Sequence, residues 1–254
     1  MAKIKAVTFD LWDTLIHDDS DEPKRLAQGL RNKRDERRHL VWQALNAEQS
    51  VSVEDVVLAF DVADAAFNNV WKRHSVTWLV EERVDVILNG LGRTLPSDVR
   101  AQLINDLGYM EVDIAPDAIE GARDALADLS QRYALAIVSD AIMTPGSGLR
   151  DLLAKYGLRE FFKGFAFSDE VGYSKPHPSM FHSAAEQLGV AVEEMVHIGD
   201  RDHNDVKGPQ ALGMRAILFT ATRENDKDTT SADAVCASHA ELPGVIDALA
   251  EASI

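Results

Sequence analysis

Four short segments carry side chains that could act together on a charged substrate. Asp10, Asp13 and Thr14 close the stretch IKAVTFDLWDTL at residues 4–15. Ser139 and Asp140 end the run ALAIVSD, and Lys175 stands in VGYSKPHP. Asp200 and Asp205 stand five apart in HIGDRDHNDVKG. Two or three carboxylates gathered at one point cannot all stay ionised without a cation. Oxygen donors of this kind suit Mg²⁺, which binds through one or two carboxylates plus a phosphate and keeps its remaining waters. Lys175 would add a second, fixed positive charge.

Such chemistry needs elements that deliver these groups to one place. The first stretch is apolar and partly β-branched (Val7, Thr8, Phe9) and reads as a buried strand of a parallel sheet, stopped at Asp10. A carboxylate there is costly unless something needs it. In open α/β sheets that strand end is where ligands bind. Short apolar runs at 134–138, 164–167, 195–198 and 215–219 read as further strands, with 234–236 as a sixth. Helical patterns lie between them: one from Ala118 through Ala122, Leu126 and Leu129, then 149–153, 178–188, 205–212 and 245–252. The alternation implies right-handed crossovers and a sheet covered on both faces. Asp10, Ser139 and Asp200 then share one edge, with Lys175 on the loop after the third strand.

No strand pattern interrupts residues 17–113. One long helical stretch is expected to hold Leu26, Leu30, Leu40, Val41 and Leu45, capped by Ser20 or Asp21 with Pro23 in its first turn. A second opens at Ser52 and carries Val56, Phe60, Phe67, Val70 and Trp71. A third carries Val80, Val84, Ile87 and Leu88 and stops near Gly90 and Gly92. A fourth starts at Pro96 and Ser97. The fold expected is α/β: a Rossmann-like parallel-sheet core at 1–16 and 114–254, with an inserted all-helical cap at 17–113. Residues 223–231 (RENDKDTTS) read as a mobile surface loop.

Composition narrows the function. The 254 residues include 42 acidic and 26 basic side chains, a formal charge of −16. That argues against a nucleic-acid backbone or an anionic membrane as the main partner, though not against a small anionic substrate. A lone cysteine, Cys236, excludes an internal disulfide and a thiolate metal cluster and reads as a small buried apolar residue. No stretch is long enough to span a bilayer, and the first apolar run is too short for a signal peptide. A cytoplasmic protein is expected, monomer or homodimer.

Taken together, FDLWDTL, IVSD, VGYSKPHP and HIGDRDHNDVKG resemble, in order, the four motifs of the haloacid dehalogenase superfamily, whose members are mostly phosphatases. The helical insert resembles that family's cap. The resemblance implies Asp10 as the nucleophile that forms an aspartyl-phosphate, with Thr14 orienting it. Ser139 and Asp140 would lie against the phosphoryl group, and Lys175 would stabilise its charge. Asp200, Asp10 and the Trp12 carbonyl would hold Mg²⁺, and Asp205 would complete that shell or hold Lys175. The substrate implied is a small phosphorylated metabolite.

One position departs from the family. Its phosphatases carry a second Asp two residues after the nucleophile, which protonates the leaving alcohol. Here it is Trp12, so a contribution of typically ~10²–10⁴-fold is missing from its usual place. Asp13, Asp140, His17 or a cap residue could take the role. A 2-haloacid dehalogenase also lacks that Asp and often has an aromatic residue there, but it needs no Mg²⁺. A catalytically weak member kept for binding is a third reading.

The remaining candidates have structural readings. Asp13 is expected to cap its turn, Asp140 to bond the loop, His17 to mark the hinge into the cap, His177 to be structural and His203 to be solvated. Trp12 packs under the cap or gates the cavity. Lys24, Arg25, Arg31, Lys33, Arg34, Arg37 and Arg38 are read mostly as a solvated helix face, with one or two arginines reaching the cavity as the sharper alternative. Trp42, Trp71 and Trp78 read as core or dimer contacts.

Overall fold

The computed structural model describes residues 3–251. Its centre is a six-stranded sheet, all parallel, in the order β3-β2-β1-β4-β5-β6. The strands are β1 (Ala6–Phe9), β2 (Ala134–Ser139), β3 (Gly164–Phe167), β4 (Met195–Gly199), β5 (Arg215–Phe219) and β6 (Ala234–Cys236). All six lie where the apolar runs place them. The order reverses at β1, the switch point where a crevice opens beyond the strand ends.

Alternation along each strand sorts the core into two layers. Val7, Phe9, Leu135, Ile137, Val196 and Ile198 pack on one face; Ala6, Ala136, Val138 and Met195 pack on the other. The other helices, in chain order, are α1 (Glu22–Ala27), α2 (Lys33–Glu48), α3 (Val53–His74), α4 (Val80–Gly90), α5 (Ser97–Gly108), α6 (Met110–Asp113), α7 (Ala122–Leu129), α8 (Gly146–Lys155), α9 (Ser168–Val171), α10 (Pro178–Leu188), α11 (Gly208–Gln210) and α12 (Leu242–Glu251). Leu126 and Leu129 of α7, Leu149 and Leu153 of α8 and Ile246 of α12 cover the first face; Met180, Phe181 and Ala184 of α10 cover the second.

Helices α2 to α5 form the inserted cap, with a core of its own. Val41, Leu45, Val56, Phe60, Val84, Ile87, Leu103 and Leu107 meet there, joined by Met143 from the loop after β2. Ser52 caps α3 as its sequence implies, its Oγ accepting from the Asp55 N–H at 3.1 Å.

Several local expectations give way. The long helix across residues 26–45 is broken into α1 and α2. Gly29 takes a left-handed φ of 72°, which a helix cannot continue through, and Asn32 starts α2 by accepting from the Asp35 N–H. Leu26 is therefore 76% exposed instead of buried. Asp21 sits at the α1 N-cap but makes no side-chain cap bond there; its carboxylate goes to Lys33. Ala118 lies before α7 and bridges Ile16. Residues 202–207 form a wide π-type turn ahead of the short α11. Ala252, the expected last residue of α12, lies outside the described residues.

The loop leaving β1 is pinned from below. His239 Nε2 donates to the Thr14 carbonyl at 2.8 Å, and Thr222 Oγ1 donates to the Asp13 carbonyl at 2.8 Å. His239 is 1% exposed, and burial pulls its pKa down to about 4. The native imidazole is thus neutral where the unfolded one takes a proton. Stability from this residue is complete above about pH 6.5 and falls away as pH drops through about 4, by about 3 kcal/mol in all. Denaturant titrations from pH 7 to 4 should show His239→Gln, which keeps a donor, losing less stability over that interval than the wild type.

Candidate active site

Register decides what meets at the strand ends. Phe9 pairs with Ile137 on one side and Ile198 on the other. Asp10, next along β1, therefore lies level with Val138 and Gly199, one residue short of Ser139 and Asp200. The expected convergence of these three is observed, and the loop after β3 adds Lys175. Its Nζ lies 2.8 Å from Asp10 Oδ1 and 2.6 Å from Asp205 Oδ1. The Lys175 N–H donates to Asp140 Oδ1 at 2.9 Å, so Asp140 holds this loop, as expected.

Lys175 is 4% exposed. Burial alone would lower its pKa, but Asp10, Asp205 and Asp140 outweigh it and hold the ammonium above its ordinary value. Burial likewise works against ionised Asp205; Lys175 and His197 overcome it and keep that carboxyl well below the usual range. Asp205 is fully engaged: Oδ1 takes Lys175 and His197 Nε2 at 3.2 Å, and Oδ2 accepts the Arg201 N–H at 3.0 Å. His197, buried on β4, completes a line inward, with Nδ1 2.9 Å from Thr8 Oγ1. The tautomer protonated at Nε2 satisfies both ends; burial depresses its pKa and keeps it neutral.

Asp200 is different. Oδ2 accepts from Arg223 at 3.2 Å, while buried Oδ1 has no partner among the described residues. Burial, then the charges of Asp10 and Asp205, push its pKa up to about 7. One oxygen from each of Asp10, Asp200 and Asp205 falls within 4.8 Å of the others. Hard carboxylate donors, an orphaned oxygen and surplus negative charge fit a small divalent cation. Ser139 Oγ and Thr14 Oγ1 are also buried without partners among the described residues. Both hydrogen bonds given to Asp10 fall on Oδ1, from Lys175 and the Leu11 N–H at 2.7 Å, so Oδ2 is its unengaged oxygen among the described contacts. Burial pushes Asp140 up to about 7 against the pull of Lys175.

Of these groups, Asp10, Ser139, Asp140 and Lys175 floor a cavity of about 270 Å³ between sheet and cap. Trp12 lines it, packed against the first core face, and Trp71 of α3 lines it from the cap. The opposite wall carries Lys33 and Arg37 of α2, with Asp18, Asp19 and Glu111. Lys33 Nζ reaches Asp19 and Asp21 at 2.9 Å and Glu111 at 3.0 Å. The reading of the basic run as solvated thus holds for Arg31 and Arg34 but fails for Arg25, Lys33 and Arg38, which are buried. Arg38 turns to Asp61, and Arg25 Nε donates to the Arg31 carbonyl. The signal available in sequence was the four-residue spacing of Lys33 and Arg37, which puts both on one helix face.

Other expectations fared unevenly. Asp13 closes its turn by accepting from the Asp18 N–H. His177 accepts from the Ser179 N–H and stacks on Tyr173, a structural role. His203 is exposed beside a second groove that Arg201 and Asn204 share with the cavity. Segment 223–231 is tied to the site: Arg223 reaches Asp200, and Thr230 Oγ1 donates to Asp202 at 2.6 Å. Its polar composition gave no sign of that.

A sequence model of the haloacid dehalogenase-like hydrolases matches residues 4–213. A glyceraldehyde 3-phosphate phosphatase of Methanopyrus kandleri is 26% identical over 91% of both chains. The human haloacid dehalogenase-like hydrolase domain-containing protein 3 is 26% identical over 97% of this chain and 95% of its own. Among solved structures, a HAD phosphatase from Thermococcus onnurineus superposes with a TM-score of 0.62 at 22% identity, covering 96% of this chain and 98% of the other. A 2-haloacid dehalogenase from Pseudomonas syringae gives 0.65 at 23%, covering 97% and 99%. Both show the shared fold.

Gly199 is where the site tolerates no side chain. A Cβ there would stand 2.3 Å from Asp205 Cγ. Gly199→Ala should cost about 1–3 kcal/mol in denaturant unfolding and, in a crystal structure, shift Asp205 away from Lys175. Gly90→Ala, where a Cβ meets nothing within 4 Å, should be neutral or stabilising.

Proposed function

Because the chain belongs to the haloacid dehalogenase-like hydrolase family, we propose that it is a Mg²⁺-dependent phosphatase of small phosphorylated metabolites, with a core at 1–16 and 114–254 and a cap at 17–113. The observation that carries this reading is the cluster of Asp10, Asp200 and Asp205, with buried Lys175 paired to Asp10 and Asp205 and one Asp200 oxygen without a partner among the described residues. A glyceraldehyde 3-phosphate phosphatase among its relatives supports the reaction class.

Asp10 is the nucleophile, through Oδ2. It attacks phosphorus in line with the leaving oxygen, the bond to that oxygen breaks, and an aspartyl-phosphate forms. Ser139 Oγ, without a partner among the described residues, donates to a phosphoryl oxygen. Lys175 keeps a fixed positive charge beside the transferring group and needs no reorganisation, because Asp205 already holds it. Asp205 is therefore assigned to positioning Lys175. Thr14 orients the Asp10 loop. Mg²⁺ bound by Asp10, Asp200 and the Trp12 carbonyl would neutralise phosphoryl charge. Water then attacks the aspartyl-phosphate, releasing inorganic phosphate and restoring Asp10.

Trp12 sets the character of this reaction. Its indole N–H does not shuttle protons at neutral pH, so the leaving oxygen departs without the usual adjacent acid. Rates should therefore depend steeply on leaving-group acidity, with acyl and aryl phosphates well ahead of alkyl esters. Trp12→Asp should flatten that dependence and raise kcat for alkyl esters about tenfold or more.

Assays of a phosphate-ester panel with Mg²⁺ and with EDTA test the proposal. Turnover should need Mg²⁺ and fall at least 10³-fold in Asp10→Asn. Trp12 also suits a second reading, a 2-haloacid dehalogenase, since halide leaves without a proton. Metal-independent halide release from 2-haloacids, with no phosphate release, would replace the phosphatase by that enzyme.

A further inference from the structure

The cavity wall facing Asp10 says what the rest of the substrate must be; this rests on the phosphatase reading, which fixes only the phosphoryl end. Two cations stand there, Lys33 and Arg37. Lys33 is already matched by Asp19, Asp21 and Glu111, and Arg37 lies 3.4 Å from the same Glu111. Burial works against ionised Glu111, but Lys33 and Arg37 hold it below the usual carboxylate range. Asp18 adds another carboxylate at this wall. Three carboxylates lining this wall, with buried Asp21 as a fourth, thus oppose two cations. The other cations lining the cavity, Lys175 and Arg201, lie at the floor, Lys175 paired with Asp10 and Asp205 and Arg201 3.8 Å from Asp200.

A second anionic group on the substrate would meet this surplus negative charge, because both cations of the wall already face carboxylates. A hydroxyl suits the wall better, because it both donates and accepts. Carboxylates there accept from it. The buried Arg37 Nε has no partner among the described residues and donates to it. The volume, about 270 Å³, suits a ligand of a few carbons. Trp12 and Trp71 supply apolar sides for a carbon chain.

We infer that the wall formed by Asp18, Lys33, Arg37 and Glu111 is a hydroxyl-recognising subsite that selects phosphate esters of short, uncharged polyols or hydroxyaldehydes over esters carrying a carboxylate. Arg37 Nε is its donor, and Asp18 is the group that turns anions away.

Calorimetry tests this on Asp10→Asn protein with Mg²⁺ at pH 7.5, which is expected to bind esters without turning them over. The probes are glycerol 3-phosphate and 3-phosphoglycerate, equal in carbon count and different in charge. Glycerol 3-phosphate should bind at least tenfold more tightly, about 1.4 kcal/mol. Adding Asp18→Asn should raise the affinity for 3-phosphoglycerate about fivefold, a gain that misfolding cannot mimic. Equal affinities, the reverse order, no binding of either ester, or no gain from Asp18→Asn overturns the subsite. Wild-type protein that hydrolyses no ester, beside the tenfold order in Asp10→Asn, defeats the hydrolysis reading and supports the subsite.

Discussion

The ammonium of Lys175 is the contact on which this structure depends. A charge that deeply buried is tolerable only when paired at close range with its remaining protons engaged. Asp10 from the end of β1 and Asp205 from the turn after β4 provide that pairing at 2.8 and 2.6 Å. Asp140 fixes the backbone of the same lysine. Three chain segments far apart in sequence are thereby locked to one residue, two through its ammonium and one through its backbone N–H. Removing any partner would leave an uncompensated ion in the interior, so the geometry of the site and the integrity of the fold share a cause.

That lock explains features with no chemistry of their own. Gly199 lacks a side chain because Asp205 passes over it within contact distance. His197 is buried and neutral because Asp205 needs a donor beneath it and Thr8 offers the ring's other nitrogen a partner. The parallel register supplies the rest: once β1 lies between β2 and β4, Ser139 and Asp200 must flank Asp10. Asp205, saturated by three donors, positions Lys175, whereas Asp200, with an orphaned oxygen, is open to a cation. Two aspartates five residues apart divide the work through their hydrogen bonds.

The sheet was legible because each strand is a short apolar run ended by a polar residue, and parallel connectivity leaves few arrangements. The convergence of Asp10, Ser139, Lys175 and Asp200 was legible for the same reason. What escaped was set by tertiary contacts rather than local pattern. The helix predicted across residues 26–45 fails at Gly29, where its apolar spacing carries on but the backbone does not. Lys33, Arg38 and Arg25 look solvated in sequence because their carboxylate and carbonyl partners lie elsewhere in the chain; Glu111 is 78 residues from Lys33. Arg223 sits in a segment whose composition reads as loop and whose contact, Asp200, comes from another strand end.

The two walls of the cavity answer different electrostatic demands. A chain of formal charge −16 repels anions at long range, yet a phosphate ester must dock. The floor would resolve this locally: Lys175 and Arg201, with any divalent ion that the clustered carboxylates bind, would present positive charge only where the proposed phosphoryl site lies. Screening over roughly 8–10 Å at physiological salt keeps the distant acidic surface from overriding that short-range field. The cap wall has no such excess. Its cations are spent holding the two linkers together, Lys33 binding Asp19 and Asp21 on one side and Glu111 on the other, while Glu111 accepts from Thr144 of the core at 2.5 Å. The ion network that seats the cap over the strand ends is therefore also what leaves its cavity face poor in free positive charge.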